Sequence, residues 1–346
     1  MKLIRPVLFA WILLFGHNYF LQAQSSNLTA GSFFADTGVV QTTIITDIRK
    51  LRSTRNKPVW IPADIILKEN DTTAISESIS LRMRGNMRRA ICDIASLELN
   101  FKSTLSPRLS GLKKMKLVGG CRNNTFDEEL LLKEYLIYKM YNLLTPLSFN
   151  ARLLRITYID SRKKVSTYTQ YAFVMEDISD VAKRNGHVNK RTGIFRTEQA
   201  DRMHISLVCI FEFMIGNTDW SVTGRHNIRL IVPTNDTLAR PMPVPYDFDY
   251  SGIVNAPYAI PAEEYTTIKN VRERLYRGFP RTMDELRSIV KIFQEKKKEM
   301  LQVIENCHML SNRGKKDMVK YMESFYDIID KESSVKRNFS DHARLF

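Results

Sequence analysis

Between Phe211 and Tyr250 the chain reads FEFMIGNTDWSVTGRHNIRLIVPTNDTLARPMPVPYDFDY, an apolar run that breaks into a polar loop and is followed by two strand-like segments ending in acids. The residue types needed for phosphoryl transfer are all present in it. Asp219 can accept a proton, Asn227 can ligate a metal, and Asp247 or Asp249 at a strand end can hold the same metal against a nucleotide phosphate. Asp249 is open between a second metal ligand and the cap of the next turn. His226 is open between a role in charge stabilisation or metal ligation and a structural hydrogen bond. Polar clusters at the ends of adjacent strands converge more easily than they would in a random loop.

The elements that must place these groups follow from periodicity. Thr197 to Gly216, TEQADRMHISLVCIFEFMIG, reads as a helix whose wholly apolar second half is buried and delivers Asn217, Thr218 and Asp219 to a cleft edge. From Val39 to Phe101 the pattern is mostly strand, with clear alternation at Ile79, Leu81, Met83 and at Leu97, Leu99, Phe101. Between those two segments lies Arg84-Gly85-Asn86. A glycine turn among basic residues can bring backbone amides and guanidinium groups against phosphate oxygens, and it is equally an ordinary hairpin turn with solvated arginines. Lys114 and Lys116 share one side of a short strand, and the helix after it, FDEELLLKEYLIYKMYNLLTPL, carries acids in its first turn and ends at Pro146. Lys116 and Glu134 are the candidates for an ion pair that steadies the α and β phosphates. Arg152 to Asp160 and Thr167 to Met175 read as two strands, and the second runs through Glu176 into a helix, a crossing whose backbone can meet an adenine ring.

These segments, in this order, resemble a known family. FMIGNTDWSVTGRHN followed by PVPYDFDYSG resembles the CotH family of atypical kinases and, more distantly, the HipA-like kinases and the secretory-pathway casein kinases. LRMRGNMRR with SLELNFK looks like the RGN segment of the CotH amino-terminal lobe, and YAFVMEDISDVAKR like its strand-to-helix crossing with Glu176. The resemblance covers roughly Ser80 to Gly252. It implies a protein-kinase-like fold, ATP with Mg²⁺ or Mn²⁺ as cofactors, and phosphorylation of Ser or Thr in exported proteins. Asp219 matches the loop aspartate, Asn227 the metal asparagine, Asp247 the metal aspartate and Lys116 the strand lysine.

The chain also departs from the pattern. Asp219 and Asn227 stand eight positions apart, whereas the protein-kinase loop HRDxxxxN separates the equivalent pair by about five. Trp220 stands where the related loops have Arg. Either a loop bulge absorbs the extra residues or Asn227 no longer reaches the metal.

Length and composition bound the rest. A chain of 346 residues with 44% hydrophobic content suffices for a large core. The expected fold class is α+β, with two lobes sharing one cleft: a β-rich amino-terminal lobe with one long helix over 39–176 and a mainly helical lobe over 177–346. Lys2 and Arg5 precede an apolar run too short to span a bilayer comfortably, so 1–23 reads as a secretory signal peptide and 24–38 as a flexible arm. Export would place the protein in the periplasm, the cell envelope or the medium, with no transmembrane helix after signal cleavage. Removing Lys2 and Arg5 takes the formal charge from +15 to +13, a surface that attracts anionic ligands. The basic residues are scattered and no nucleic-acid motif is present, so the expected partner is an exported protein substrate rather than nucleic acid.

Cys92 and Cys121 flank neighbouring strands and are candidates for a disulfide, while Cys209 reads as a buried thiol. After Gly252 an irregular stretch leads to helices near Met283 to Cys307 and Gly314 to Lys331, and KRNFSDHARLF reads as a tail. The rival to a transferase is a catalytically inactive envelope module that docks a protein or glycan. A nuclease or phosphatase built from the same acids is weaker, because no histidine-aspartate cluster has the usual spacing.

Overall fold

The computed structural model describes residues 30–35, 38–68, 74–85, 89–90, 92–93, 96–101 and 112–344. The expected signal peptide, most of the expected arm, and Asn86 lie outside the described residues. Seven strands, in which buried positions alternate most clearly along the first three, are β1 (Val40–Thr46), β2 (Ile61–Lys68), β3 (Ala74–Met83), β4 (Leu97–Asn100), β5 (Lys114–Gly119), β6 (Ala151–Asp160) and β7 (Tyr168–Met175). They form a closed barrel in the order β1-β2-β3-β4-β5-β7-β6. Closure comes from a parallel ladder between β1 and β6, running from Val40↔Leu154 to Thr46↔Asp160; the other neighbouring strands pair antiparallel.

This closure overturns the expected fold class. A two-lobed kinase-like fold would carry an open sheet in its amino-terminal half, whereas here the first and sixth strands zip together and leave the sheet no free edge. Alternation inside each strand is the same for an open sheet and a barrel, so the pattern alone did not separate them. Ile44, Leu81, Leu99 and Ile156 fill the barrel interior. Phe33 and Phe34 of the short helix α1 (Ala30–Ala35) join that core, and Arg152 donates to the Phe33 carbonyl at 2.7 Å. At least this part of the expected arm is packed.

A second core begins on the outer face of the barrel, where Val118, Leu153 and Phe173 meet the helix over Thr125–Leu144. With α2 assigned to Ile48–Ser53, this long helix is α3. Around it gather α4 (Ile178–Arg184), α5 (Arg202–Ile215), α6 (Met283–Glu305), α7 (Asn312–Ile329) and α8 (Glu332–Lys336). A small antiparallel sheet, β8 (His187–Asn189), β9 (Ile228–Pro233) and β10 (Met242–Pro245), has β9 in the middle. The expected tail is not free: Phe339 is fully buried against Phe213 and Tyr276. An aromatic residue in that stretch belonged to the core.

Cys92 and Cys121 are bonded, stapling the approach to β4 to the end of β5. Cys209 and Cys307 are buried thiols. Among the described residues, no helix is long and apolar enough to cross a membrane.

Candidate active site

The loop that carries Asp219 starts where α5 stops. Gly216 takes the left-handed conformation (φ 68°) that closes the helix, which costs a residue with a Cβ more than it costs glycine. An added Cβ would also meet the Tyr321 hydroxyl at 2.1 Å. Asn217 then fixes the turn, donating from Nδ2 to Glu212 Oε2 (2.9 Å) and accepting the Asp219 N–H (3.0 Å). Glu212 is fully buried in the helix, and that burial pushes its carboxyl up to about 8. Trp220 is buried rather than presented to the cleft, and Arg277 lies over its ring while donating to the carbonyls of Thr218 and Trp220. A cation from a distant segment therefore braces this loop.

The extra residues between Asp219 and Asn227 fold into a small hairpin. Ser221 and His226 pair as an antiparallel bridge, with N–H···O distances of 2.9 and 3.0 Å. Arg225 anchors it by donating to the carbonyls of Lys190, Arg191, Thr192 and Gly193. The chain thus returns to its starting point. Asn227 donates from Nδ2 to the Asp219 main-chain carbonyl (2.8 Å) and to Oδ2 (3.0 Å), while His226 Nε2 lies 2.8 Å from Oδ1. Both carboxylate oxygens are held, and the atom of the Asn227 side chain with the chemistry to ligate a cation is its Oδ1.

The acids after β10 are set by the residue between them. Phe248 is fully buried, with its ring 4.8 Å from that of Tyr138 and 5.7 Å from that of Phe211. In Y-D-F-D-Y one side chain goes to the core and its neighbours turn away from it. Tyr246 donates its N–H to the Asn227 carbonyl (3.0 Å), and Asp247 donates its N–H to the Tyr138 hydroxyl (2.8 Å). Asn227 and Asp247 both have positive φ, 51° and 66°. The Tyr258 hydroxyl donates to Asp249 Oδ2 at 3.0 Å.

These pieces converge. Arg84, Gly85, Asp219, Asn227, Asp247 and Asp249 line one cavity of about 470 Å³, together with His226, Tyr246 and Tyr250. Gly85 there has φ 83°, the glycine conformation that the turn reading expected. Lys116 stands behind Tyr246, its ammonium 4.9 Å from the ring centre, and the Arg229 guanidinium lies at the same distance from that ring. Burial, then the charges of Arg84 and Arg229, lowers the Lys116 ammonium to about 8, while Asp177 and Asp247 act the other way.

The remaining expected residues lie elsewhere. Glu134 is buried in α3 one turn before Tyr138, and its charge raises that phenol, while the charges acting on Lys116 are those of Arg84, Arg229, Asp177 and Asp247. Glu176 accepts from the Asn150 N–H (3.0 Å) and pairs with Arg184 (3.0 Å), lining a separate cavity of about 800 Å³ beside α3 and α6. Tyr138, Tyr246 and Arg229 were not singled out from the sequence. Arg229 carried no readable signal, because Asn227 precedes β9 with φ 51° and strand alternation does not extend to it.

The donor set is chemically suited to a hard divalent cation: Asn227, Asp247 and Asp249 bring oxygen ligands to the lining of one cavity. Among the described residues, no group of three His, Cys, Asp or Glu is close enough to make a metal cage. Mg²⁺ takes only one or two carboxylates from the protein when substrate phosphates complete its shell, so this sparse set fits a metal that arrives with a nucleotide. No family model matches the chain, and no curated protein matches it.

Proposed function

We propose that the cavity binds ATP with Mg²⁺ or Mn²⁺, and that the protein transfers the γ-phosphoryl group to a Ser or Thr hydroxyl of an exported protein. The CotH-like order of motifs supports this reading. One observation carries it: oxygen ligands and cations meet in one site, where Asp219, Asn227, Asp247 and Asp249 line the cavity together with Arg84, and Lys116 and Arg229 lie against the ring of Tyr246. Acids alone would bind a cation, and arginines alone an anion. Both together suit a metal phosphate.

Asn227, Asp247 and Asp249 would hold the metal, which when bound neutralises phosphate charge. Arg84 and Lys116 attract the phosphate oxygens. Asp219 takes the proton of the acceptor hydroxyl as its oxygen attacks the γ phosphorus; the new O–P bond forms, the bond to the β-phosphate oxygen breaks, and ADP leaves with that electron pair. His226 and Asn227 act as positioning residues, holding the two carboxylate oxygens of Asp219. The Cys92–Cys121 disulfide suits an oxidising compartment and thus export.

Thermal shift with ATP and Mn²⁺ tests the nucleotide site: the midpoint rises in the wild type and not in Asp247→Ala. Transfer of radiolabelled phosphate that persists in Asp219→Ala would remove that residue from the chemistry. The second reading, an inactive envelope module that docks a protein or glycan, is favoured by the eight-position spacing from Asp219 to Asn227. No midpoint rise with either metal would select it.

A further inference from the structure

A second cavity, of about 410 Å³, adjoins the first and shares Asp219, His226 and Tyr250 with it. We propose that this second cavity receives the acceptor, and that it selects a peptide in which a Lys or Arg flanks the Ser or Thr hydroxyl; this rests on the transferase reading above. The shared wall decides the direction of approach. The first cavity holds the cations suited to phosphate, so a group entering by the second meets the Asp219 carboxylate from the remaining side.

The charge on the rim decides the class of ligand. Glu263 and Glu264 are exposed on the loop after Pro261, and neither forms an ion pair among the described residues. They form a patch of negative charge on a chain whose formal charge is +15. The cation in this wall, Arg277, is buried between the rings of Trp220 and Tyr265 (4.8 and 4.9 Å) and donates to backbone, so it does not neutralise the rim. Trp220, 3% exposed in the same wall, has an indole N–H with no acceptor among the described residues. Ile260, 73% exposed beside the acids, adds an apolar contact. An acidic rim and an exposed aliphatic side chain beside the shared Asp219 describe a basic peptide better than a neutral sugar.

Two measurements on the full-length chain test this. In the first, fluorescence anisotropy follows a short fluorescein-labelled peptide with one Ser between two Arg, beside the same peptide with Glu for Arg. The Arg peptide binds the wild type, binding weakens with added salt, and the Glu263→Arg/Glu264→Arg variant binds it roughly tenfold more weakly. In the second, the ATP and Mn²⁺ thermal shift of that variant equals that of the wild type, because both changes are on the exposed rim. Equal binding of the two peptides, unchanged affinity in the variant, or binding of a neutral oligosaccharide in place of the Arg peptide overturns the acceptor assignment. If the thermal shift stands while the peptide result fails, the nucleotide site survives and only the acceptor is wrong; if the shift is absent, the transferase reading itself has failed.

Discussion

The buried hydroxyl of Tyr138, on α3, accepts the backbone N–H of Asp247 at 2.8 Å across a sequence separation of 109 residues. This bond holds an aspartate at φ 66°, where a residue with a Cβ is strained, against a helix that packs on the barrel. Tyr138→Phe keeps the ring contacts with Phe173 and Phe248 and removes the hydroxyl that accepts from Asp247 and donates to Met175 Sδ at 3.5 Å. The expected loss is about 1–3 kcal/mol in urea unfolding, with a smaller ATP and Mn²⁺ thermal shift. A variant with wild-type values in both would show that the phenol does not brace the site.

Glu212 makes stability depend on pH in a stated direction. Its carboxyl titrates near 8 instead of the ordinary 4.5 because burial opposes its charge. The folded chain therefore holds this proton more tightly than the unfolded chain. The resulting stabilisation is complete below about 4.5 and is lost as pH rises towards 8, at about 1.4 kcal/mol for each pH unit inside that window. Glu212→Gln keeps an acceptor for Asn217 and cannot ionise, so its melting temperature should change less between pH 5 and pH 8 than that of the wild type. Parallel profiles would remove Glu212 as the titrating group.

The same residues show how much the sequence disclosed. The apolar run ending at Gly216, the polar loop and the strands ending in Asp247 and Asp249 are local signals, and the structure brings Asp219, Asn227, Asp247 and Asp249 to one cavity with Arg84 and Gly85. Barrel closure was not legible, because β1 and β6 pair across more than a hundred residues and neither carries a mark of its partner. Glu176 looked like a ligand-facing acid, yet Arg184, two turns further on, takes its charge. The spacing from Asp219 to Asn227 left the path of the chain open, and the Ser221 and His226 bridge returns it on itself so that Asn227 lies against Asp219. Side-chain anchors from distant segments, Tyr138 and Arg277 above all, have no local signature.

The disulfide supplies a third expectation. Cys92 and Cys121 close a loop of 29 residues that contains β4 and Ser96, part of the cavity wall. A cross-link over a loop of this size stabilises by about 2–4 kcal/mol, mainly by restricting the unfolded chain. Cys92→Ser/Cys121→Ser should lower the urea midpoint accordingly, and dithiothreitol should lower that of the wild type alone. Equal sensitivity of both proteins to dithiothreitol would mean that another pair is being reduced.

Lys116 links the site to pH through its ligand. With its ammonium lowered to about 8 by burial and by Arg84 and Arg229, it is partly neutral in a mildly alkaline buffer. For stability the sign follows from the unfolded chain, which keeps this proton up to the ordinary 10.5: the burden of the buried charge is complete below about 8 and is relieved as pH rises from there towards 10.5. A polyphosphate beside the ammonium favours its charged form and raises its pKa again. Binding of ATP near pH 8.5 should therefore take up a fraction of a proton. Calorimetric titrations in Tris and in HEPES, which differ in ionisation enthalpy, would report this as a difference in apparent binding enthalpy. The difference should shrink in Lys116→Met and at pH 6.5, where the wild-type ammonium is already charged. The same uptake in Lys116→Met would place the responsible group elsewhere and remove Lys116 from the phosphate site.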